Sequence, residues 1–202
     1  DQDRMFHAYV HDLGGGLVLR LLRSGHILGA AFVELKYGGL RVLFSGDIGR
    51  PHDPVMPEPT PVQQADYLVV ESTYGDRRHD PADPHIKFAE IINRTAERRG
   101  VVIIPTFAVG RTQELMYYIH QLKAGRMIPD LPVYLNSPMA VDATRIFHSH
   151  PSDHRLTAAQ CDAMCRTAKV VNTVEESKRL NAATGPMIIL AASGMATGGR
   201  VV

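Results

Sequence analysis

The chain has 202 residues, a formal net charge of +1, and is 45% apolar and 21% charged. That balance fits a folded globular protein of one large or two small domains. It excludes a global pull toward nucleic acid or anionic membrane, so any polyanion site has to be local. No apolar run approaches the roughly 20 residues of a membrane-spanning helix, and no membrane partner is expected. Cys161 and Cys165 lie four apart on a predicted helix and form neither a CxxC pair nor a disulfide scaffold. Such cysteine usage suits a reducing compartment and a cytoplasmic location.

Residues 1–16 are polar and read as a loop ending in Gly14-Gly15-Gly16. Strands are predicted from Leu17 to Leu22, over Phe32–Leu35 and from Leu40 to Phe44, the last two joined by a Gly38-Gly39 hairpin turn. The connector from Pro51 to Pro61 holds five prolines and cannot be regular structure. Tyr67–Val70 reads as a short buried strand, and residues from His85 to Arg98 as an amphipathic helix. From Val101 onward the pattern is βα-alternating. Strands are predicted at Val101–Ile104, Val133–Leu135, Val170–Val171 and Met187–Leu190. Between them lie helices at Gln113–Lys123, from Pro138 to about His148, at roughly Ala158–Thr167 and at Glu175–Ala182. Alternation of this kind implies a mostly parallel sheet with helices on both faces. A boundary near Asp80 separates residues 1–80, antiparallel in character, from residues 81–202. The polar start without a leader, and an end at Val201-Val202 where a helix should begin, suggest a piece of a longer chain.

Several predicted strands end in small-residue loops that carry a polar side chain: His26, Asp47, Glu71 and the Thr106–Arg111 loop. Singly, a His after Ser-Gly is a turn residue and an Asp at a strand end is an Asx turn or a cap. Together, a His and carboxylates on neighbouring strand ends are donors that zinc accepts, although a catalytic zinc takes about three protein ligands. Arg111 falls in the first turn of a helix, where a guanidinium can fork onto a phosphate.

The segments GHILGAA (25–31), FSGDIGR (44–50), VVESTYGDR (69–77), PTFAVGRTQE (105–114), LNSPMA (135–140) and AASGMATGG (191–199), in this order and spacing, resemble the β-CASP branch of the metallo-β-lactamase superfamily. More narrowly they are similar to ribonucleases akin to the cleavage-and-polyadenylation endonuclease. The resemblance implies the C-terminal part of an αββα hydrolase domain followed by a β-CASP domain with a mostly parallel, helix-flanked sheet. It further implies a two-zinc phosphodiesterase acting on single-stranded RNA. His26 matches a zinc ligand, Asp47 the zinc-bridging aspartate, and Glu71 the acidic residue that orients a catalytic histidine. Thr106, Phe107, Arg111, Ser137, Ser193 and Gly194 fall where the family grips nucleic acid. Phe107 is either a core side chain beneath its loop or an aromatic face for a base.

The family's HxHxDH motif is absent upstream of His26, and its later histidine motifs fall beyond Val202. The 202 residues alone are therefore expected to bind little or no zinc, to be inactive, and to expose an apolar patch that allows a homodimer. His148-Ser149-His150-Pro151-Ser152-Asp153-His154 is one residue longer than the family motif and follows a helical run, so it reads as a solvated helix end. Arg77, Arg78, Arg98 and Arg99 read as solvated charges. Three other functions are open: an inactive RNA-binding scaffold of the family, a DNA-directed nuclease, or a nucleotide-binding domain. The last lacks any GxGxxG or GxxxxGK[ST] motif.

Overall fold

The computed structural model describes residues 9–78, 80–192 and 196. The chain divides into two compact units that change over at Asp80, and the short stretch Asp153–Arg155 groups with the first.

The first unit is a five-stranded sheet in sequential order. Strands β1 (Tyr9–Gly14), β2 (Leu17–Arg23), β3 (Ala31–Tyr37) and β4 (Leu40–Phe44) form an antiparallel meander, and β5 (Tyr67–Val69) adds parallel to β4. Both tight hairpins turn on glycine pairs with positive φ: Gly15 and Gly16 at 62° and 83°, Gly38 and Gly39 at 55° and 87°. Only glycine takes up such paired left-handed turns without strain. Strand β1 corrects, over Tyr9–Gly14, the expectation of a loop across residues 1–16, of which residues 1–8 lie outside the described residues. It is an exposed outer strand, so its sequence lacks the apolar alternation that would have marked it. Leu22, Phe32 and Leu43 form the core of one sheet face, with Ile48 and Ala65 packed against them. On that same face Arg20 and Glu34 stand opposite each other and pair at 2.8 Å, with Glu34 buried.

Strand β5 also departs from its expectation. Tyr67, Leu68, Val69 and Val70 are each 54–62% exposed rather than buried. As the outer strand, β5 pairs only with β4 among the described residues, so an apolar sequence alone could not bury it. The proline-rich connector is irregular, as expected, but it is pinned. Thr60 N–H donates to the Arg23 carbonyl at 2.9 Å, and Arg155 N–H donates to the Val55 carbonyl at 2.8 Å. Asp53 Oδ1 accepts from Val55 and Met56 N–H, both at 2.8 Å.

The second unit comprises α1 (Pro84–Glu97), β6 (Val101–Thr106), α2 (Arg111–Ala124), β7 (Val133–Asn136), α3 (Pro138–Ser149), α4 (Ala158–Arg166), β8 (Lys169–Val170), α5 (Val174–Ala182) and β9 (Met187–Ala192). Its strands are all parallel, in the order β6-β9-β7-β8. The α/β architecture with a helix-flanked parallel sheet is the one the alternation implied. Central β9 is the most deeply buried, with Ile188, Leu190 and Ala191 at 0% exposure. Met187, Ile189 and Ala191 pack with Val171 and with Leu180 of α5 on one face. By strand alternation Ile188 and Leu190 point to the other face. Outer strand β6 is only partly buried, with Ile103 53% exposed. The helix starts follow local chemistry. Asp83, Ser137, Thr157 and Thr173 each cap a helix by accepting an N–H from its first turn, an arrangement worth about 1 kcal/mol apiece.

Candidate functional site

In the first unit, His26, Asp47 and Glu71 leave the ends of β2, β4 and β5 in loops that converge. The His26 Nε2 and Asp47 Oδ2 atoms lie 3.8 Å apart, with the two side chains 44% and 70% exposed. Two donors at that separation can each stand about 2.0–2.1 Å from one ion. A neutral imidazole nitrogen and a carboxylate oxygen are also the donor types zinc takes. The pair thus fits two positions of a zinc shell, and the described residues contain no cluster of three or more His, Cys, Asp or Glu side chains placed for a metal.

Glu71 plays a different part. Its Oε1 accepts the Ile48 N–H at 2.7 Å and its Oε2 accepts the Thr73 N–H at 3.4 Å. Those bonds, the Ile48 one foremost, hold its carboxyl below the usual range, and the nearby His26 adds a smaller push in the same direction. Ser45 completes the link: its Oγ accepts the Glu71 N–H at 3.0 Å, and its own N–H donates to the Val69 carbonyl at 2.9 Å. Glu71 therefore ties the end of β5 to the loop that carries Asp47. Because its folded pKa is depressed, this contribution to stability is present above the ordinary carboxylate value, about 4.3, and is lost as pH falls through the folded value. Glu71→Gln should accordingly lower the unfolding midpoint near neutral pH, by a margin that shrinks below about pH 4. A margin that stays constant as the pH falls would rule out this role.

The loops are held in contact by glycine. Gly49 N–H donates to the Ser24 carbonyl at 2.8 Å. A Cβ on Gly49 would stand 2.0 Å from the Gly25 carbonyl oxygen and 2.7 Å from the His26 nitrogen, which no backbone tolerates. The His26 and Asp47 loops can approach this closely only because Gly49 lacks a side chain.

In the second unit, the Thr106–Arg111 loop and Ser137 stand at the carboxyl ends of β6 and β7, where open parallel sheets bind ligands. Phe107 is 58% exposed, so it is not a core residue beneath the loop. Thr106 and Ser137 are 3% and 2% exposed. Their hydroxyls are used internally, Thr106 donating to the Phe107 carbonyl at 3.3 Å and Ser137 accepting the Ala140 N–H at 3.2 Å. Both hydroxyls therefore help to shape their own loops. Arg111 is half exposed, and one amino group donates to the nearly buried Glu114 carboxylate at 2.6 Å. This bond orients the guanidinium at the start of α2 and offsets part of its charge. Ser193 and Gly194 lie outside the described residues.

The sequence reading missed the polar residues inside this region. Thr112, Gln113 and Glu114 are buried on α2, and Thr144 on α3. The available signal was a run of three polar residues at the start of an otherwise apolar helix face. The His148–His154 stretch splits up. His148 Nε2 meets Asp162 Oδ1 at 2.7 Å, and His150 Nδ1 lies 2.8 Å from the Ile146 carbonyl, both at an exposed helix end as expected. His154, however, is 6% exposed and groups with the first unit, so it is buried rather than solvated. Arg77, Arg78, Arg98 and Arg99 are exposed, as expected.

An α/β chain with an all-parallel, helix-flanked sheet and polar residues at converging strand ends falls in a class that known proteins define further. The Beta-Casp domain matches residues 112–202. The ribonuclease TTHA0252 of Thermus thermophilus is 38% identical over 198 residues, which cover 93% of this chain and 45% of that protein. The transcription termination factor FttA of Methanosarcina mazei is 33% identical over 211 residues, 96% of this chain and 32% of its own length. The cleavage and polyadenylation specificity factor subunit 3 of Dictyostelium discoideum is 31% identical over 138 residues, 67% of this chain and 18% of its own length. The chain belongs to the β-CASP branch of the metallo-β-lactamase superfamily. It spans less than half the length of each of these relatives.

Proposed function

We propose that this chain is part of a zinc-dependent, RNA-processing nuclease of the β-CASP type that acts on single-stranded RNA in the cytoplasm. In this reading the first unit belongs to the hydrolase domain and the second is the RNA clamp. The carrying observation is the convergence of His26, Asp47 and Glu71, with Glu71 bonded to Ile48 next to Asp47 and lying beside His26. His26 and Asp47 supply two zinc ligands of a set that other residues complete. Glu71 keeps the Asp47 loop in place and sets a carboxylate beside the imidazole. When bound, zinc supplies Lewis-acid stabilisation of the charge that builds on the phosphoryl group. At the second unit Arg111 binds backbone phosphate, and Phe107 offers its ring to a base. Bearing only part of the ligand set, the 202 residues by themselves bind RNA without cleaving it.

The test is binding of a short labelled single-stranded RNA to the purified chain, followed by fluorescence anisotropy. Arg111→Ala should weaken binding about tenfold and flatten the salt dependence by about one phosphate contact, with the melting temperature held. Equal affinity of wild type and variant would remove Arg111 from the RNA site. Preference for a free mononucleotide over the RNA would replace the clamp with a nucleotide-binding domain.

A further inference from the structure

The loop from Phe107 to Gly110 inverts the usual distribution of side chains. Its apolar members face solvent, Phe107 at 58% and Val109 at 40% exposure, whereas Thr112 and Gln113 behind it are 0% and 1% exposed. A buried carboxamide is tolerated when its donors and acceptor are bonded. Gln113 meets that condition by bonding the loop itself. Its Oε1 accepts the Gly110 N–H at 2.8 Å, and its Nε2 donates to the Ala108 carbonyl at 3.2 Å and to Thr144 Oγ1 at 2.8 Å. Thr112 Oγ1 closes the other end by donating to the Phe107 carbonyl at 2.7 Å. Gly110 takes φ 79°, a conformation that disfavours any residue with a Cβ. The loop is therefore fixed in one shape by buried polar groups, and that shape puts an aromatic ring in water.

The bond to Thr144 extends the strut to α3. Thr144 is 9% exposed and passes the chain on by donating to the Ala140 carbonyl at 2.7 Å. The first turn of that helix displays Met139, which is 69% exposed. Strands β6 and β7, which lead to Phe107 and Met139, are separated by β9 alone. Two strand spacings set their ends roughly 10 Å apart. Both α2 and α3 begin here, and Arg111 stands in the first turn of α2. Positive helix ends beside exposed apolar side chains suit a ligand that is anionic along its backbone and flat and apolar at its bases.

We propose that Gln113 is a positioning residue: its buried carboxamide braces the Phe107–Gly110 loop against α3 and holds the Phe107 ring in solvent, where it stacks on one nucleobase of the bound RNA. This rests on the RNA reading above.

The experiment is a double-mutant cycle on the purified chain, with affinity for a labelled single-stranded RNA and the melting temperature measured together. Phe107→Ala should weaken binding about tenfold, the usual loss for one stacked base. Gln113→Leu, which keeps the bulk and removes all three bonds, should weaken it by a similar factor. Because Gln113 acts through Phe107, the Gln113→Leu/Phe107→Ala double variant should bind within about twofold of the weaker single variant. Losses that multiply would overturn the proposal, as would a Gln113→Leu variant that binds like wild type while Phe107→Ala does not. Both results leave the RNA reading standing; absence of binding by the wild-type chain sinks that reading and this one with it. If Gln113→Leu loses its fold, Thr144→Val removes the far end of the strut, and its cycle with Phe107→Ala is judged by the same criteria.

Discussion

Asp47→Ala in the full-length protein is expected to lower RNA cleavage by about a thousandfold or more. In the proposed site the Asp47 carboxylate is a zinc ligand beside His26, 3.8 Å away, and its side chain is 70% exposed, so its loss would remove a ligand without opening a cavity. A metal ion's stabilisation of developing phosphoryl charge amounts to several kcal/mol, and each 1.36 kcal/mol is a factor of ten in rate. The variant should fold normally, because Asp47 makes none of the bonds that tie the loops; Ser45, Ile48 and Glu71 make them. Single-turnover cleavage of a labelled RNA, with zinc content and melting temperature measured on the same preparation, separates ligand loss from misfolding. Activity within tenfold of wild type would remove Asp47 from the metal centre.

Gly49→Ala should be the most damaging single-methyl change in the first unit. The added Cβ would meet the Gly25 carbonyl oxygen and carbon at 2.0 and 2.1 Å, and these are backbone atoms that cannot rotate aside. The Gly49 N–H bond to the Ser24 carbonyl holds the two loops together, so relief requires breaking that bond and parting His26 from Asp47. Overpacking of this kind costs about 3 kcal/mol or more when the backbone itself must shift. Gly29→Ala is the comparison. It has nothing within 4 Å of the new Cβ, and φ 81° leaves only left-handed strain of about 1–2 kcal/mol. Chemical denaturation of both variants should rank Gly49→Ala well below Gly29→Ala, with zinc affinity of the full-length protein falling for the first alone. Equal destabilisation would mean that the close approach of the loops is not what shapes the site.

The βα alternation after Val101 was legible because β6 and β9 carry continuous apolar runs and α3, α4 and α5 each start on a capping side chain. Strand β1 was not, because an exposed outer strand has no such pattern; Tyr9 and His11 stack on each other at 6.0 Å instead of entering a core. Burial at sheet edges failed for a related reason. Tyr67–Val69 has the composition of a core strand, and only the sheet order reveals that one side of it is open. At the site, His26, Asp47 and Glu71 were legible as polar residues that follow the ends of three predicted strands. The Ile48 N–H that Glu71 accepts was not, since a backbone donor leaves no trace in the sequence. The internal partners of Thr106 and Ser137 were not legible, because a hydroxyl in a strand-end loop serves equally to cap its own turn or to face a ligand. Gln113 went unnoticed because a glutamine on a helix is ordinarily a surface residue, and its burial depends on Thr144, 31 positions away.

The most direct measurement is cleavage of a labelled single-stranded RNA by the purified full-length protein, as isolated, after removal of metal by a chelator, and after zinc is restored. The RNA should be cut by the first and third preparations and left whole by the second, with Asp47→Ala silent in all three. Cutting that survives chelation, or intact RNA tightly bound in the presence of zinc, would contradict a zinc-dependent nuclease; the second result would make the protein an RNA-binding scaffold.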